Sequence, residues 1–500
     1  MTDKILFWMD SNLIYFGLSK NLKENYDAQY YAITDYSEQM KSFFSKQKIM
    51  EFEKKWSYRD NVYLQKKKPD IEYLKKFEKK YGIDLWKLAY SERIFYKFNI
   101  YHKFKSDEIL EIFEQECKFF EKVLDEAQPN FLIIKMVDYH HGLLLCKMCE
   151  SKGIKILTMS PTRFANRYMI TEEAGLLDSK YKIEYDETKN KSLEELRNDI
   201  KKYSIQAVQH GKKYKSSKKI QLKASLYFFL KVCNDNYRKH ILHTGRTRFS
   251  VLKNETKLIF NKYFRYRLLN KIARKEIKKG EKFVYFALHS EPERGLLIPS
   301  PFYNNQFSVI ENVAKSIPVD HKLFVKEHPV QGIFGWREPR WYKDLIKLPN
   351  VELIHPHVST NELLENCSLT VSIGSTIGLE GAFFNKPGIV FTDVIYSILN
   401  SIVKINNFTE MPEKIKSLLN TDISINELNK YVQTIEKLSF VFELEKIRKD
   451  IVHRFYYDDF VREVEISEDE MKKCLEDYKT EFNLLANEHI KKINYYKNNS

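Results

Sequence analysis

Residues 281–392 constrain the fold of this chain more than any other stretch, because strand-length apolar runs alternate there with helical patterns. The runs read "KFVYFALH", "HKLFVKEHP", "VELIHPH", "SLTVSI" and "PGIVFT". Between them lie helical patterns near 307–316 and 341–348, a helix opening after Ser359, and a short helix from about Thr376. Ser359 and Glu362 stand at capping-box spacing, which marks that helix start. Strands joined by helical crossovers pair in parallel, so the pattern predicts an open, doubly wound α/β sheet. Ligands of such sheets bind beyond the carboxyl ends of the strands.

The first 190 residues carry the same alternation less densely. "KILFWM" reads as a strand, helical periodicity follows over 13–25, and "DAQYYAIT" reads as a second strand. Residues 40–126 read as largely helical with charged faces. "NFLIIKMV", the helix "HGLLLCKMCESKG" closed by Gly153, and "IKILTMS" then form a βαβ unit with parallel strands. At 500 residues the chain exceeds one core, since ~100–200 residues per domain is usual.

Between the two α/β halves, 191–280 shows no strand pattern and holds 25 Lys/Arg against 6 Asp/Glu, a net +19. The other 410 residues hold 58 against 62, a net −4, so the basicity is regional. From about 410 the pattern is helical and charged to the end. The expected organisation is α/β, with Rossmann-like halves at 1–190 and 281–409, a basic helical insertion at 191–280 and a helical region at 410–500.

Several classes fall away. A 43% hydrophobic fraction with 14% aromatics is that of a globular chain. Six scattered cysteines make no disulfide framework, and the lone Cys146–Cys149 CxxC lies in an apolar helical pattern, which reads as burial. The apolar run in "MTDKILFWMD" is too short for a signal peptide, and the longest internal runs fall short of a ~20-residue membrane span. A cytoplasmic location is the expectation. The basic region lacks a recognised nucleic-acid motif, so it reads as a solvated face or as a surface drawn to anionic lipid, with no nucleic-acid partner.

The strand ends of the second half carry the polar residues. Glu291 and Glu293 follow the first strand; Lys326, His328 and Pro329 the second; His355 the third; Gly374, Ser375 and Thr376 the fourth, with Glu380 one turn on. One such end alone reads as a solvated loop, but four in succession predict a site at one rim. The Gly-Ser-Thr turn at a helix start offers backbone N–H groups, hydroxyls and the positive helix end, which suit a phosphate. The same residues also read as an N-cap with helix packing at Gly378. The turn has neither P-loop nor dinucleotide-fingerprint spacing.

The run "VYFALHSEPERG…HKLFVKEHP…LPNVELIHPHVSTNELLENCSLTVSIGSTIGLEGAFFNKPGIVF" resembles the bacterial capsule polysaccharide biosynthesis proteins, the family of the Kdo transferases. The resemblance covers about 281–395 well and reaches more weakly into "FLIIKMVDYHHGLLLCKMCESKGIKILTMSPTRFANRYMI". It implies a fold of GT-B type, two Rossmann-like halves facing a cleft, with the nucleotide-sugar in the C-terminal half and the acceptor on the N-terminal side. His328, Pro329, Ser375 and Thr376 match the positions that face the donor nucleotide, and the proline fixes where the imidazole points. Beside Lys326, that imidazole is suited to donate to a phosphate oxygen of the leaving group. Glu380 is a candidate partner for ribose hydroxyls, and His355 and Gly374 complete the expected donor side.

For the base, Asp138 and His140 in "KMVDYHHG" compete with Glu291 and Glu293. Arg163 and Arg167 suit an anionic sugar or acceptor. The resemblance implies a glycosyltransferase of surface or capsular polysaccharide, with a nucleotide-sugar as co-substrate, a cytidine-monophosphate sugar favoured, and a glycan or lipid-linked acceptor. No cofactor or metal site is expected, and the second half has no clear DxD. Peripheral contact with an anionic inner-membrane surface is a further expectation. A polyol-phosphate transferase with a cytidine-diphosphate donor and a non-catalytic assembly scaffold are the rival readings.

Overall fold

The computed structural model describes residues 2–178, 185–200, 218–291 and 294–499. Six strands lie in the first half: β1 Asp3–Met9, β2 Ala28–Thr34, β3 Lys54–Ser57, β4 Phe131–Ile133, β5 Lys155–Pro161 and β6 Arg167–Thr171. The second half contributes β7 Phe283–Ala287, β8 Lys322–Lys326, β9 Val351–Ile354, β10 Leu369–Val371, β11 Gly388–Val390 and β12 Ile402–Lys404, and β13 is Phe440–Val441. They form a seven-stranded sheet in the order β13-β6-β5-β4-β1-β2-β3 and a six-stranded sheet in the order β12-β11-β10-β7-β8-β9. Every pairing of the second sheet is parallel. The first is parallel except where β6 meets β5 and β13. The fold is thus the two Rossmann-like halves of GT-B type that the alternation and the resemblance led one to expect.

Both sheets reverse direction once. In the second, the chain runs outward from β7 to β8 and β9, then crosses back so that β10 lies on the other side of β7. In the first, β4 takes the corresponding place beside β1. Such switch points leave a crevice between two carboxyl ends. The central strands are apolar throughout, as Ile5–Met9 and Phe283–Phe286 are buried between helical layers on both faces.

Local signals place the helices. Asn12 accepts the Ile14 N–H ahead of Leu13–Asn25, and Ser359 accepts the Glu362 N–H ahead of Thr360–Asn366. Gly153, at φ 74°, follows the helix His140–Ser151. The C-terminal helices return to the first half: Phe482, in Lys479–Asn498, packs on Leu13–Asn25 at Gly17, where a Cβ would fall 2.5 Å from the ring. Across the halves, Phe164, Met169, Leu196, Leu379, Phe383, Tyr431 and Ile435 form one shared apolar cluster.

Four strands differ from the sequence reading. β3 sits inside the stretch read as helical; its four residues include two exposed lysines, the usual protection of an edge. β6, β12 and β13 are short and take their identity from their partners. The strand read in "NFLIIKMV" ends at Ile133, because Lys135 turns aside to pair with Asp10 at 2.7 Å. The described part of 191–280 is largely helical, including Lys218–Tyr227 and Arg248–Ile272, with an irregular stretch at 273–280 whose Arg274 bridges to Ile354; 201–217 lie outside the described residues.

Candidate functional site

The carboxyl ends of both sheets border a cleft of about 880 Å³. From the second half it is lined by His289, Arg294, His328, Gly374–Thr376 and Thr392–Tyr396. From the first half, Lys87, Val137, Lys147, Arg163 and Glu173 face it. Of the residues selected from sequence, His328, Gly374, Ser375, Thr376 and Arg163 are brought together here.

The β7/β10 switch point forms the floor. His289 follows β7, and its Nε2 accepts the Gly374 N–H at 3.1 Å, which assigns the ring proton to Nδ1. Its main chain is held by Gln306, which accepts the His289 N–H at 2.8 Å, and by Arg337, which donates to the carbonyl at 2.6 Å. At Gly374 a Cβ would meet Thr392 at 2.5 Å, so the turn closes only with glycine. Ser375 donates its N–H to Ser372 Oγ, and the Ile377 N–H turns to Ser375 Oγ. The following helix is only Ile377–Phe383. The N–H groups of Gly374, Ser375 and Ile377 are therefore already bonded internally. Hydroxyls and side-chain cations line this cleft rather than the helix end expected from sequence.

"VKEHP" alternates inward and outward. Glu327 is buried and accepts from Arg337 at 2.9 Å, from Tyr342 at 2.7 Å and from the His328 N–H at 2.9 Å. That anchored carboxylate turns His328 toward the cleft. His328 Nδ1 accepts the Val330 N–H at 3.2 Å, making Nε2–H the ring's donor. Pro329 opens a 3₁₀ turn, Pro329–Gly332, behind it.

The remaining donor-side candidates lie elsewhere. Lys326 is 4% exposed, donates to Thr360 Oγ1 at 2.8 Å, and has its amine pushed down to about 8 by burial, an effect Glu380 opposes. Glu380 accepts from Thr376 Oγ1 at 2.7 Å; burial raises its carboxyl, with Thr376 and Lys326 opposing. This pair sits behind the turn rather than in the cleft. His355 follows β9, the outermost strand on its side. It is buried, stacks on His357 at 4.9 Å, and has its pKa lowered by burial and by His357.

On the acceptor side, Arg163 lines the cleft from the β5–β6 turn with φ 64°. Arg167 points the other way: it donates to the carbonyls of Glu436 and Ser439 at 2.7 and 2.8 Å, satisfying the open end of Ile425–Leu438. Asp138 lies 3.5 Å from Lys135, beside the Lys135–Asp10 pair. His140 is fully buried between Glu92 at 2.8 Å and Glu116 at 3.0 Å, with Tyr58 donating to Glu116. Burial opposes its charge, but the two carboxylates prevail and lift its pKa to about 10. A sealed imidazolium has no proton vacancy and no path to an acceptor hydroxyl. Glu291 is held by Arg337 at 3.0 Å and Gln306 at 2.8 Å and borders a different cleft. Glu293 lies outside the described residues.

Three features of the site went unread in the sequence. His289 is the first polar residue after β7; Ala287 pairs with Lys326, so, two residues on, His289 takes the place that His328 takes after β8. Arg337 ties the rim together from a loop 10 residues beyond Glu327. Glu173, two residues past β6, is an exposed side chain that lines the cleft among Lys147 and Arg294; partial desolvation, with Glu150 and Asp393 nearby, raises its carboxyl, and the two cations oppose the shift. Among the described residues, one cluster has metal-ligand spacing, Glu116, His140 and His141; it lies in the N-terminal core, away from the cleft.

A second cleft, of about 1000 Å³, adjoins the first. A bridging hollow shares Lys87 and Pro301 with one and Lys97, Glu291 and Trp341 with the other, so the halves enclose a continuous trough. Arg93, Lys97, Arg246, Lys257 and Arg265 give the second cleft its positive wall, with Tyr101 and Trp336 beside them.

Comparison with known proteins agrees with the family read from sequence. Residues 177–401 match the family described as "Capsule polysaccharide biosynthesis protein". A curated relative, protein FixF of Sinorhizobium fredii, is 26% identical over 137 residues, which span 26% of this chain and 31% of that protein. The match thus covers about a third of the relative's length. Among solved structures, the KpsC β-Kdo 2,7 transferase of Thermosulfurimonas dismutans matches with 13% identity and a TM-score of 0.29, covering 70% of this chain and 87% of that one. A Methanocaldococcus jannaschii UDP-GlcNAc 2-epimerase, in complex with UDP-GlcNAc and UDP, matches with 11% identity and a TM-score of 0.26, covering 87% and 99%.

Proposed function

We propose that this chain, whose residues 177–401 match the capsule polysaccharide biosynthesis family, is a glycosyltransferase that takes a sugar from a nucleotide donor to a glycan or glycolipid hydroxyl. One observation carries the reading. At the β7/β10 switch point, His328, Ser375, Thr376 and Arg294 converge on one cleft, with His289 locked to Gly374 beneath them. That set suits a nucleotide phosphate: the Ser375 hydroxyl, which accepts the Ile377 N–H, and the His328 Nε2–H as donors for its oxygens, and a guanidinium for charge that grows as the leaving group departs, with Thr376 committed to Glu380. A cytidine-monophosphate sugar is the favoured donor, by the family resemblance.

The acceptor runs along the trough, its reacting hydroxyl near Glu173. Glu173 lines the cleft and has its carboxyl raised, first by partial desolvation, which suits it to act as the general base. The cationic, aromatic wall of the second cleft suits an acidic glycan. The acceptor is glycan or lipid-linked glycan presented at an anionic membrane face, a reading supported by the +19 of 191–280.

Calorimetric titration with CMP, CDP, UDP and GDP tests the donor site, with His328→Ala and Ser375→Ala beside the wild type. Selective binding of one nucleotide, weakened tenfold or more (~1.4 kcal/mol) by either change, is the expected result. Failure of every nucleotide to bind overturns the reading and leaves the scaffold in its place.

A further inference from the structure

The helix Arg248–Ile272 has apolar residues on two opposite faces. A surface helix needs only one, the face it buries. Here Leu258 and Leu269 point inward, Tyr266 stacks on Trp336 at 5.7 Å, and Arg265 donates to the Trp336 carbonyl at 2.8 Å. Asn254, Leu258, Asn261 and Arg265 border the second cleft. The outward face carries Phe249, Leu252, Ile259, Phe260, Tyr263 and Phe264, each between 58% and 76% exposed. At 3.6 residues per turn these six fall within an arc of about 140°. Exposed Lys253, Arg267 and Lys271 lie in or beside the same arc.

Six large apolar side chains on one open face exceed what scattered surface residues account for, and such a patch marks a partner. The charge identifies which one. The 25-residue helix has seven Lys/Arg and one Glu, and its segment holds the chain's positive surplus. No described helix is long and apolar enough to cross a membrane, so this one is suited to lie in the interface rather than to span it. Apolar and aromatic residues on one arc, with cations beside them, match the acyl boundary and anionic headgroups of a bilayer.

We propose that the outward face of Arg248–Ile272 inserts into the surface of an anionic bilayer, in the plane of the membrane. The proposal rests on the transferase reading for its purpose: the same helix then forms the wall of the acceptor trough on one side and the membrane contact on the other. A lipid-linked acceptor would enter the second cleft without leaving the surface.

The test is co-sedimentation of the full chain with phosphatidylglycerol-containing vesicles and with pure phosphatidylcholine vesicles. The wild type is compared with the double variants Phe260→Ser/Phe264→Ser and Arg267→Gln/Lys271→Gln. Binding to the anionic vesicles only, weakened tenfold or more by each pair of changes at unaltered melting temperature and nucleotide affinity, is the expected result. Three outcomes overturn it: no vesicle binding by the wild type, equal binding by the serine variant, or a dimer in sedimentation equilibrium that the serine variant dissolves, which assigns the face to a second copy. Nucleotide titration of the same samples separates the two readings. A wild type that binds nucleotide but no vesicles removes this inference alone, and a wild type that binds vesicles but no nucleotide removes the transferase reading alone.

Discussion

At the switch point of the C-terminal half, between β7 and β10, His289 is bonded to the Gly374 N–H and the rim opens on the cleft. At the corresponding place in the N-terminal half, between β1 and β4, Asp10, Lys135 and Asp138 are tied to one another, and the next polar residue, His140, is sealed between two glutamates. The difference lies in what the buried carboxylates do. Glu327 anchors its strand end from below and leaves His328 facing out, whereas Glu92 and Glu116 take both nitrogens of His140. Polar residues beyond the strand ends of two like folds thus line the cleft in one half and are sealed into the core in the other. The N-terminal half brings charged groups to the cleft from elsewhere: Arg163 in the β5–β6 turn, Glu173 beyond β6, and Lys87 and Lys147 on helices.

Glu173→Gln gives the largest expected effect: kcat falls by ~10²–10⁴-fold, the usual contribution of a positioned base. Because its carboxyl is raised, the wild-type rate declines on acidification at a higher pH than an ordinary glutamate would set, and a pH–rate profile reads this directly. A variant of wild-type kcat would remove the N-terminal half from the chemistry.

His140→Ala is expected to lower folding stability by ~3–5 kcal/mol, since Glu92 and Glu116 are left buried without their counter-ion. Denaturant unfolding measures the loss, and the nucleotide affinity of the folded fraction stays that of wild type. His328→Ala should do the reverse, weakening nucleotide binding about tenfold (~1.4 kcal/mol) at constant stability. If the two variants exchange phenotypes, the contrast between the halves collapses.

The same ion cluster also sets a dependence on pH. His140 titrates at about 10 when folded against ~6.5 when unfolded, so its stabilisation is complete below about 6.5 and is lost as the pH rises through about 10. The unfolding free energy of the wild type should fall over that window more steeply than that of His140→Ala. Parallel curves would mean that the imidazole is not charged in the fold.

The α/β class, the main strands of both halves, the helix starts at Leu13 and after Ser359, and the regional basicity were all legible in the residues. Each is a local property: a strand or helix declares itself by the spacing of its own apolar positions and caps. β3, β6, β12 and β13 were not legible, because strands of two to five residues carry too little pattern and are defined by the neighbour that pairs them.

The same division runs through the site. Sequence indicated that His328 and Gly374–Thr376 belong at strand ends. Strand order decided that β7 lies beside β10, that β9 carries His355 away from the cleft, and that Arg167 faces a helix 270 residues downstream rather than a ligand. It also decided that His140, polar and at the start of a helix, would be enclosed. Type and spacing of residues set the local conformation because that depends on near neighbours. The direction a side chain faces depends on which distant segment packs against it, and here only the tertiary structure supplies that segment.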